Sequence, residues 1–303
     1  MGAAGGARGV WAYVEGGMGA LADAIAASAR ENGVDIRVDA PIEEILVAHG
    51  RTTGVRLAGG EVIHTRRVAS STDALHTFLK LMDPSLLPEG FRKAVSRIDY
   101  ASATVKINLA VSELPDFTCL PGNQDVGPQH RGTIQIGAMP EYLELAYDDS
   151  KYGYPSKRPV VEMTIPTSVD KTLAPDGHHI LSLFVQYAPY HLAEGTWDGI
   201  KEAFADRCIA EIARYAPNVP ASILHRQVLS PVDLERTFSL TGGNSMQGSI
   251  GLNHLGPMRP VPGWSDHRTP IQGLYVCGAA SHPGGGVMGA CGKNAATEML
   301  RDG

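Results

Sequence analysis

The chain is poor in the features that mark a disulfide or metal protein. Its 303 residues include four cysteines, Cys119, Cys208, Cys277 and Cys291, and no two form a Cys-x-x-Cys or similarly close pair. Dithiol redox chemistry and a zinc centre are therefore not expected, and buried reduced thiols are the reading for all four. No uninterrupted apolar run approaches the ~18 residues that a membrane span requires. Positive charge is also in deficit. With 26 Lys and Arg against 32 Asp and Glu, the net charge is −6, which leaves no electrostatic footprint for nucleic acid. Met1–Gly9 carries one arginine and no apolar core, so it does not read as a secretory signal. It is too short and glycine-rich to read as a mitochondrial presequence. No Ser/His/Asp or metal-ligand constellation stands out, and no internal repeat is seen. What is present is a globular composition, 43% hydrophobic and 19% charged, long enough for one large domain or two ordinary ones.

Patterning predicts a strand at Val10–Val14, a glycine turn, a helix over about 20–32 and a strand at Val34–Val38. Short β-like runs at Ile42–Ala48, Thr53–Leu57 and Glu61–His64 are separated by His49-Gly50 and Ala58-Gly59-Gly60, which predicts an antiparallel meander. Val68–Ser71 reads as a return to a central sheet. Further on, helices are expected at Asp73–Leu81 and Gly199–Tyr215. Strands are expected at Thr104–Val111, Thr133–Ile136, Val160–Ile165 and Ile180–Tyr187. After Pro257, Pro260, Pro262 and Pro270 the chain re-enters the first domain.

The last thirty residues are the most informative. They read as a buried strand at Leu274–Cys277 closed by Gly278, a loop holding Pro283, Gly284, Gly285 and Gly286, then a helix to about Leu300. Consecutive glycines strip the turn of Cβ atoms, so its backbone can lie against a flat ligand. The helix opens with unpaired N–H groups and a positive dipole end, which favours an anionic partner. Gly289, Ala290, Ala295 and Ala296 keep that helix thin.

The run Gly273-Leu-Tyr-Val-Cys-Gly278, His282-Pro-Gly-Gly-Gly-Val-Met-Gly-Ala290 and Asn294-Ala-Ala296 resembles the closing FAD motif of the phytoene dehydrogenase-like flavoproteins. Glu15-Gly-Gly-Met-Gly-Ala-Leu21, Val105-Lys-Ile-Asn-Leu-Ala-Val111, and Pro231–Arg236 followed by Thr241-Gly-Gly-Asn244 agree with it, so the similarity spans nearly the whole chain. The resemblance implies an α/β plus α+β fold. It would be an incomplete FAD/NAD(P)-binding domain of the glutathione-reductase-like, three-layer kind with an inserted mixed-sheet substrate domain. Residues 1–72 and 257–303 would form the cofactor domain and 73–256 the insertion. The implied cofactor is FAD, held by Gly17, Met18, Ile42 (a backbone contact on the adenine side), Gly278, Pro283, Gly284, Gly285, Gly286, Val287 and Met288, with no metal. In that family the last helix points at the flavin pyrimidine. A dipole contribution of about 1–2 kcal/mol would raise a two-electron potential by about 20–40 mV.

The implied activity is hydride transfer from a C–H bond of a small apolar substrate to the flavin. The alternative is a non-catalytic regulatory or binding protein that keeps the fold. The implied compartment is the mitochondrial matrix, with the cytoplasm as alternative. The family begins with a Gly-x-Gly-x-x-Gly fingerprint upstream of the Gly-Gly-Met turn, whereas this chain starts just before the turn. It therefore reads as a C-terminal portion of a longer protein.

Gly17-Met-Gly-Ala-Leu-Ala22 also fits Gly-x-Gly-x-x-Ala, and Asp39 follows 39 − 17 = 22 residues on, near the offset for a ribose-binding acid. A nucleotide-binding turn stays open beside the flavin-side reading. For His282 two readings stand, a flavin or substrate contact (a base among them) and a loop-shaping hydrogen bond. Lys106, a charge in an apolar strand, either reaches a substrate cavity or pairs with a buried acid. Ile42 is otherwise an ordinary strand residue. Lys293 and Asn294 read as helix surface or helix–sheet contacts. Arg236 and Asn244 sit by glycine turns that serve geometry, while Tyr187 and Tyr190 line a cavity or belong to the core.

Overall fold

The computed structural model describes residues 12–303, together with the backbone of Ala3–Ala4 and Ala7–Arg8. In chain order the first elements are β1 (Ala3–Ala4), β2 (Ala7–Arg8), α1 (Gly17–Glu31), β3 (Ile42–Ala48), β4 (Arg51–Leu57), β5 (Val62–His64), β6 (Val68–Ser70) and α2 (Glu89–Val95). Then come β7 (Thr104–Val111), β8 (Thr133–Ile136), α3 (Pro140–Lys151), β9 (Val160–Thr164), β10 (His179–Gln186), α4 (Trp197–Ala213) and α5 (Val219–Ser222). The chain closes with β11 (Ile223–Leu229), α6 (Pro231–Phe238), β12 (Leu274–Val276) and α7 (Ala290–Arg301). Two compact units result, one of residues 37–101 and 235–303, the other of residues 2–36 and 102–234.

The first unit combines the antiparallel meander β3-β4-β5 with a parallel pair, β6 and β12, in which Leu274, Tyr275 and Val276 stand beside Val68, Ala69 and Ser70. Its core gathers Ile45, Phe78, Phe91, Val95, Val261, Ile271, Leu274 and Val276. Phe91 meets Phe78 edge-on at 4.9 Å and Trp264 at 5.3 Å, the offset geometry that aromatic quadrupoles favour. A Cβ on Gly273 would overlap the Arg66 carbonyl, so only glycine lets the chain enter β12 this close to the start of β6.

The second unit is built on a five-stranded sheet in the order β11-β7-β10-β9-β8. Along β7 the side chains alternate: Val105, Ile107, Leu109 and Val111 are fully buried, while Thr104, Lys106, Asn108 and Ala110 take the other face. That is the period-two pattern of a sheet covered on one side. Phe204, Ala205, Cys208, Ile209 and Ile212 of α4 belong to the same core as the buried residues of β7. Every pairing in this sheet is antiparallel, so the mixed sheet expected from the resemblance is corrected.

Other expectations are also corrected. Val34–Val38 forms no strand. Val34 and Val38 are 51% and 78% exposed, and the Val34 N–H turns back to the Ala29 carbonyl. A strand requires a neighbour to satisfy its backbone groups, and among the described residues no strand pairs with this segment. Asp39 is exposed with φ 53°, so it ends no strand and the ribose-acid reading loses its framework. Val10 and Trp11 fall outside the described residues, and 12–14 carry no strand. The helix expected at Asp73–Leu81 is largely a π-helical turn at His76–Lys80. The units divide after residues 36, 101 and 234, not after 72 and 256. Residues 73–101 join the first core through Phe78, Phe91 and Val95, while α1 belongs with Asp170, whose carboxylate accepts the Gly16 N–H at 2.8 Å. Among the described residues no helix is long and apolar enough to cross a membrane.

Candidate functional site

In the first unit β6 and β12 run parallel, so their carboxyl ends open on one side. Open α/β sheets bind ligands there. The Cys277 N–H donates to the Ser70 carbonyl at 2.8 Å, and at Gly278 any Cβ would overlap the Ser71 carbonyl. Gln247 clamps both strand exits, its Nε2 donating to Ser71 O at 3.0 Å and its Oε1 accepting the Ala280 N–H at 2.9 Å. The glycine loop follows. Gly284 (φ 110°) and Gly286 (φ 153°) lie in the left-handed half of backbone space. A Cβ on Gly285 would stand 3.1 Å from Met246 Sδ. Gly284 and Gly286 are thus favoured by their backbone conformation, while Gly285 leaves room for the Met246 sulfur.

Gly289, at φ 64°, starts α7; no side chain caps this helix and its first turn holds no acid. The leading amides of a helix have no intrahelical acceptor. Val287 and Met288, just before them, are 78% and 53% exposed.

Two polar atoms here are orphaned: His282 Nδ1 and Thr241 Oγ1 are buried with no hydrogen-bond partner. Such groups are rare in native proteins, and each calls for a partner such as a water, an ion or a ligand. Below the loop lies Arg259, 2% exposed. Its guanidinium donates to the carbonyls of His254 (3.0 Å), Met246 (2.6 Å), Ala279 (2.8 Å) and Gly248 (2.9 Å). Burial lowers its pKa, yet a guanidinium stays protonated. Sequence reading missed this residue: Met-Arg-Pro in a proline-rich passage carries no sign of burial. Asn244 organises the adjoining turn, donating to Ala101 O at 3.0 Å and accepting from Met246 N at 2.9 Å.

The four thiols are free, but only Cys208 is buried, its pKa pushed up to about 12 by desolvation. Cys119 is exposed, which corrects the expectation for it. Cys277 and Cys291, 291 − 277 = 14 residues apart, are near enough to interact: burial, and then Cys291, raise the Cys277 pKa. The Cys291 thiol donates to Gly284 O at 3.3 Å.

Of the residues expected to contact the cofactor, Gly278, Pro283–Met288 and Ile42 belong to the first unit, Ile42 at the start of β3. Gly17 and Met18 belong to the second, at the N-terminus of α1 above Asp170. Lys106 is also in the second unit. Its Nζ donates to Ser182 Oγ at 2.5 Å and to Leu183 O at 3.3 Å, with no buried acid as partner. Desolvation brings its pKa down to about 8. Tyr187 stacks on Tyr147 at 5.1 Å and Tyr190 meets His191 at 4.9 Å. Arg236 is exposed on α6, and Lys293 and Asn294 are exposed on α7.

A cavity of about 870 Å³ in the first unit is lined by Arg51, Arg66, Arg67, Arg268, Tyr275 and Asp302 among others, and by none of residues 278–288. It lies at the amino ends of β6 and β12, the side that α/β sheets do not use for ligands. The carboxyl-end loop is the better candidate. An uncapped helix start, an orphaned imidazole nitrogen and a buried cation suit a flat, electron-rich group such as a flavin. No group of His, Cys, Asp and Glu among the described residues could hold a metal ion.

Known proteins place the chain in a family. The pattern of the flavin containing amine oxidoreductases matches residues 1–300. Over 308 aligned positions the chain is 46% identical to pyridine nucleotide-disulfide oxidoreductase domain-containing protein 2 of Rattus norvegicus, covering 100% of this chain and 53% of that protein. It is 28% identical over 282 positions to a zeta-carotene-forming phytoene desaturase of Myxococcus xanthus, covering 92% of this chain and 50% of that one. The chain thus spans about half the length of the curated relatives it matches. An oxidoreductase from Methanosarcina mazei shares the fold, with a TM-score of 0.61 at 20% identity over 95% of this chain and 55% of that one. The chain belongs to the flavin-containing amine oxidoreductase family.

Proposed function

We propose that the protein is an FAD-dependent oxidoreductase that removes hydride from a C–H bond of a small apolar substrate. One observation carries the reading: the carboxyl ends of β6 and β12 deliver a glycine loop into the uncapped start of α7, beside the orphaned Nδ1 of His282. The flavin, when bound, supplies the hydride acceptor.

The chain's own residues bind and orient. Gly278 and Pro283–Met288 would hold the ring, with the α7 amides favouring negative charge on it. Ile42, at the start of β3 in the same unit, stands as a further contact. His282 would donate or accept one hydrogen bond through Nδ1. Lys106, in the second unit, has a pKa of about 8 and so holds or releases a proton near that pH. Exposed Met246, Val287 and Met288 give the loop an apolar rim suited to an apolar substrate.

Titration calorimetry of the chain with FAD tests the reading. A Kd on the order of 1 μM, about −8 kcal/mol, is expected, with visible flavin absorbance on the purified complex. The alternative, a non-catalytic binding or regulatory protein, is favoured by the small size of the parallel sheet, two strands among the described residues. Absence of FAD binding would select it. Residence in the mitochondrial matrix, with the cytoplasm as alternative, goes with the first reading and is checked by fractionating cells that express the protein.

A further inference from the structure

We propose that Arg259 positions the flavin loop and biases bound flavin toward its anionic, two-electron-reduced form, an inference that rests on the flavin reading above. The guanidinium is 2% exposed and ties together four backbone carbonyls. Those of Met246, Gly248 and His254 belong to the turn before it, and that of Ala279 follows the exit of β12. These four hydrogen-bond partners are all neutral carbonyl oxygens. The titratable groups that face it are Tyr100, Cys291 and His254, and no carboxylate is among them. A buried charge is ordinarily paired with an opposite one. Among the described residues no acidic side chain is paired with it.

Its position relates that charge to the glycine loop. The Arg259 Cδ and Nε atoms stand 3.7 Å from where a Cβ on Gly284 would be. Met246, whose carbonyl it holds, packs its sulfur beneath Gly285. The same side chain therefore sets the loop's height and places a fixed positive charge under it. Reduction of the flavin by two electrons and one proton leaves one negative charge on the ring, and this is the charge the site lacks. A cation held beneath the loop would favour that state over the neutral oxidised one.

The test uses the full chain loaded with FAD and compares wild type with Arg259→Lys and Arg259→Met, reading the dissociation constant of oxidised FAD and the two-electron reduction potential. Arg259→Met is expected to lose at least tenfold in preference for reduced over oxidised flavin, a fall of about 30 mV in potential. Arg259→Lys, which keeps charge but not the planar fork, should bind both forms more weakly and retain most of the potential. A merely structural arginine would weaken both forms alike, so an unchanged potential in Arg259→Met overturns the proposal. If Arg259→Met does not melt cooperatively, Arg259→Gln decides: a potential below wild type supports the proposal and an unchanged one overturns it. A wild-type chain that takes up no FAD sinks the flavin reading itself, and this inference with it, an outcome distinct from bound flavin with an unmoved potential.

Discussion

Lys106 stands where a charge is least expected, in a strand whose alternate residues are fully buried. Its pKa is lowered to about 8 because desolvation disfavours the ammonium form. The sign of the stability effect follows. Between about pH 8 and the unfolded value of 10.5, the unfolded chain binds more protons than the folded one, so stability rises with pH across that window. Urea unfolding at several pH values should show a gain of about 1–2 kcal/mol by pH 10, discounted for partial solvent screening. Lys106→Met should abolish the gain. At this scale the sequence spoke unevenly. A lysine in Val-Lys-Ile-Asn-Leu announces itself by breaking an apolar alternation, and His282 by its place before Pro-Gly-Gly-Gly. Arg259 could not be found that way, because its burial comes from long-range contacts to Met246, Gly248 and Ala279 that no local pattern encodes. The lack of an acid beside Lys106 was equally hidden.

Among the elements, glycines decide where strands and loops can approach. Gly278→Ala would force a Cβ into the Ser71 carbonyl, and a loss of about 3 kcal/mol or more is expected in the urea midpoint. Gly284→Ala, which meets no close atom but must adopt φ 110°, should lose about 1–3 kcal/mol. The contrast separates steric overlap from backbone strain. The helix α1 offers a second check. Asp170 accepts the Gly16 N–H and both groups of Thr172, and the Thr172 bonds foremost hold its carboxyl below the usual range. The tie is therefore complete above the ordinary carboxylate pKa and is lost as pH falls through the lowered one. Asp170→Asn should speed amide exchange in the first turn of α1 and leave the β7–β10 ladder unchanged. Elements legible in the sequence were those with short-range signals. The meander showed through alternation and its glycine turns, and β12 through a compact apolar run ending at Gly278. Val34–Val38 has the composition of a strand and no neighbour to pair with, which composition cannot reveal. In the same way α3 and α6 escaped notice because their apolar residues are few and partly exposed.

For the whole molecule, the sequence conveyed the family and the glycine loop between β12 and α7. It misplaced the unit boundaries, since the contacts that assign 73–101 to the first core and α1 to the second are tertiary. The functional account depends on flavin docking against the carboxyl-end loop and the start of α7. Hydrogen–deuterium exchange on the chain with and without FAD tests that claim most directly. The account predicts slowed exchange in residues 278–293 when FAD is added, with the amides opening α7 among the most protected. Bound FAD with unchanged exchange in that segment, or protection confined to the arginine-lined cavity near Arg51 and Arg66, would contradict it.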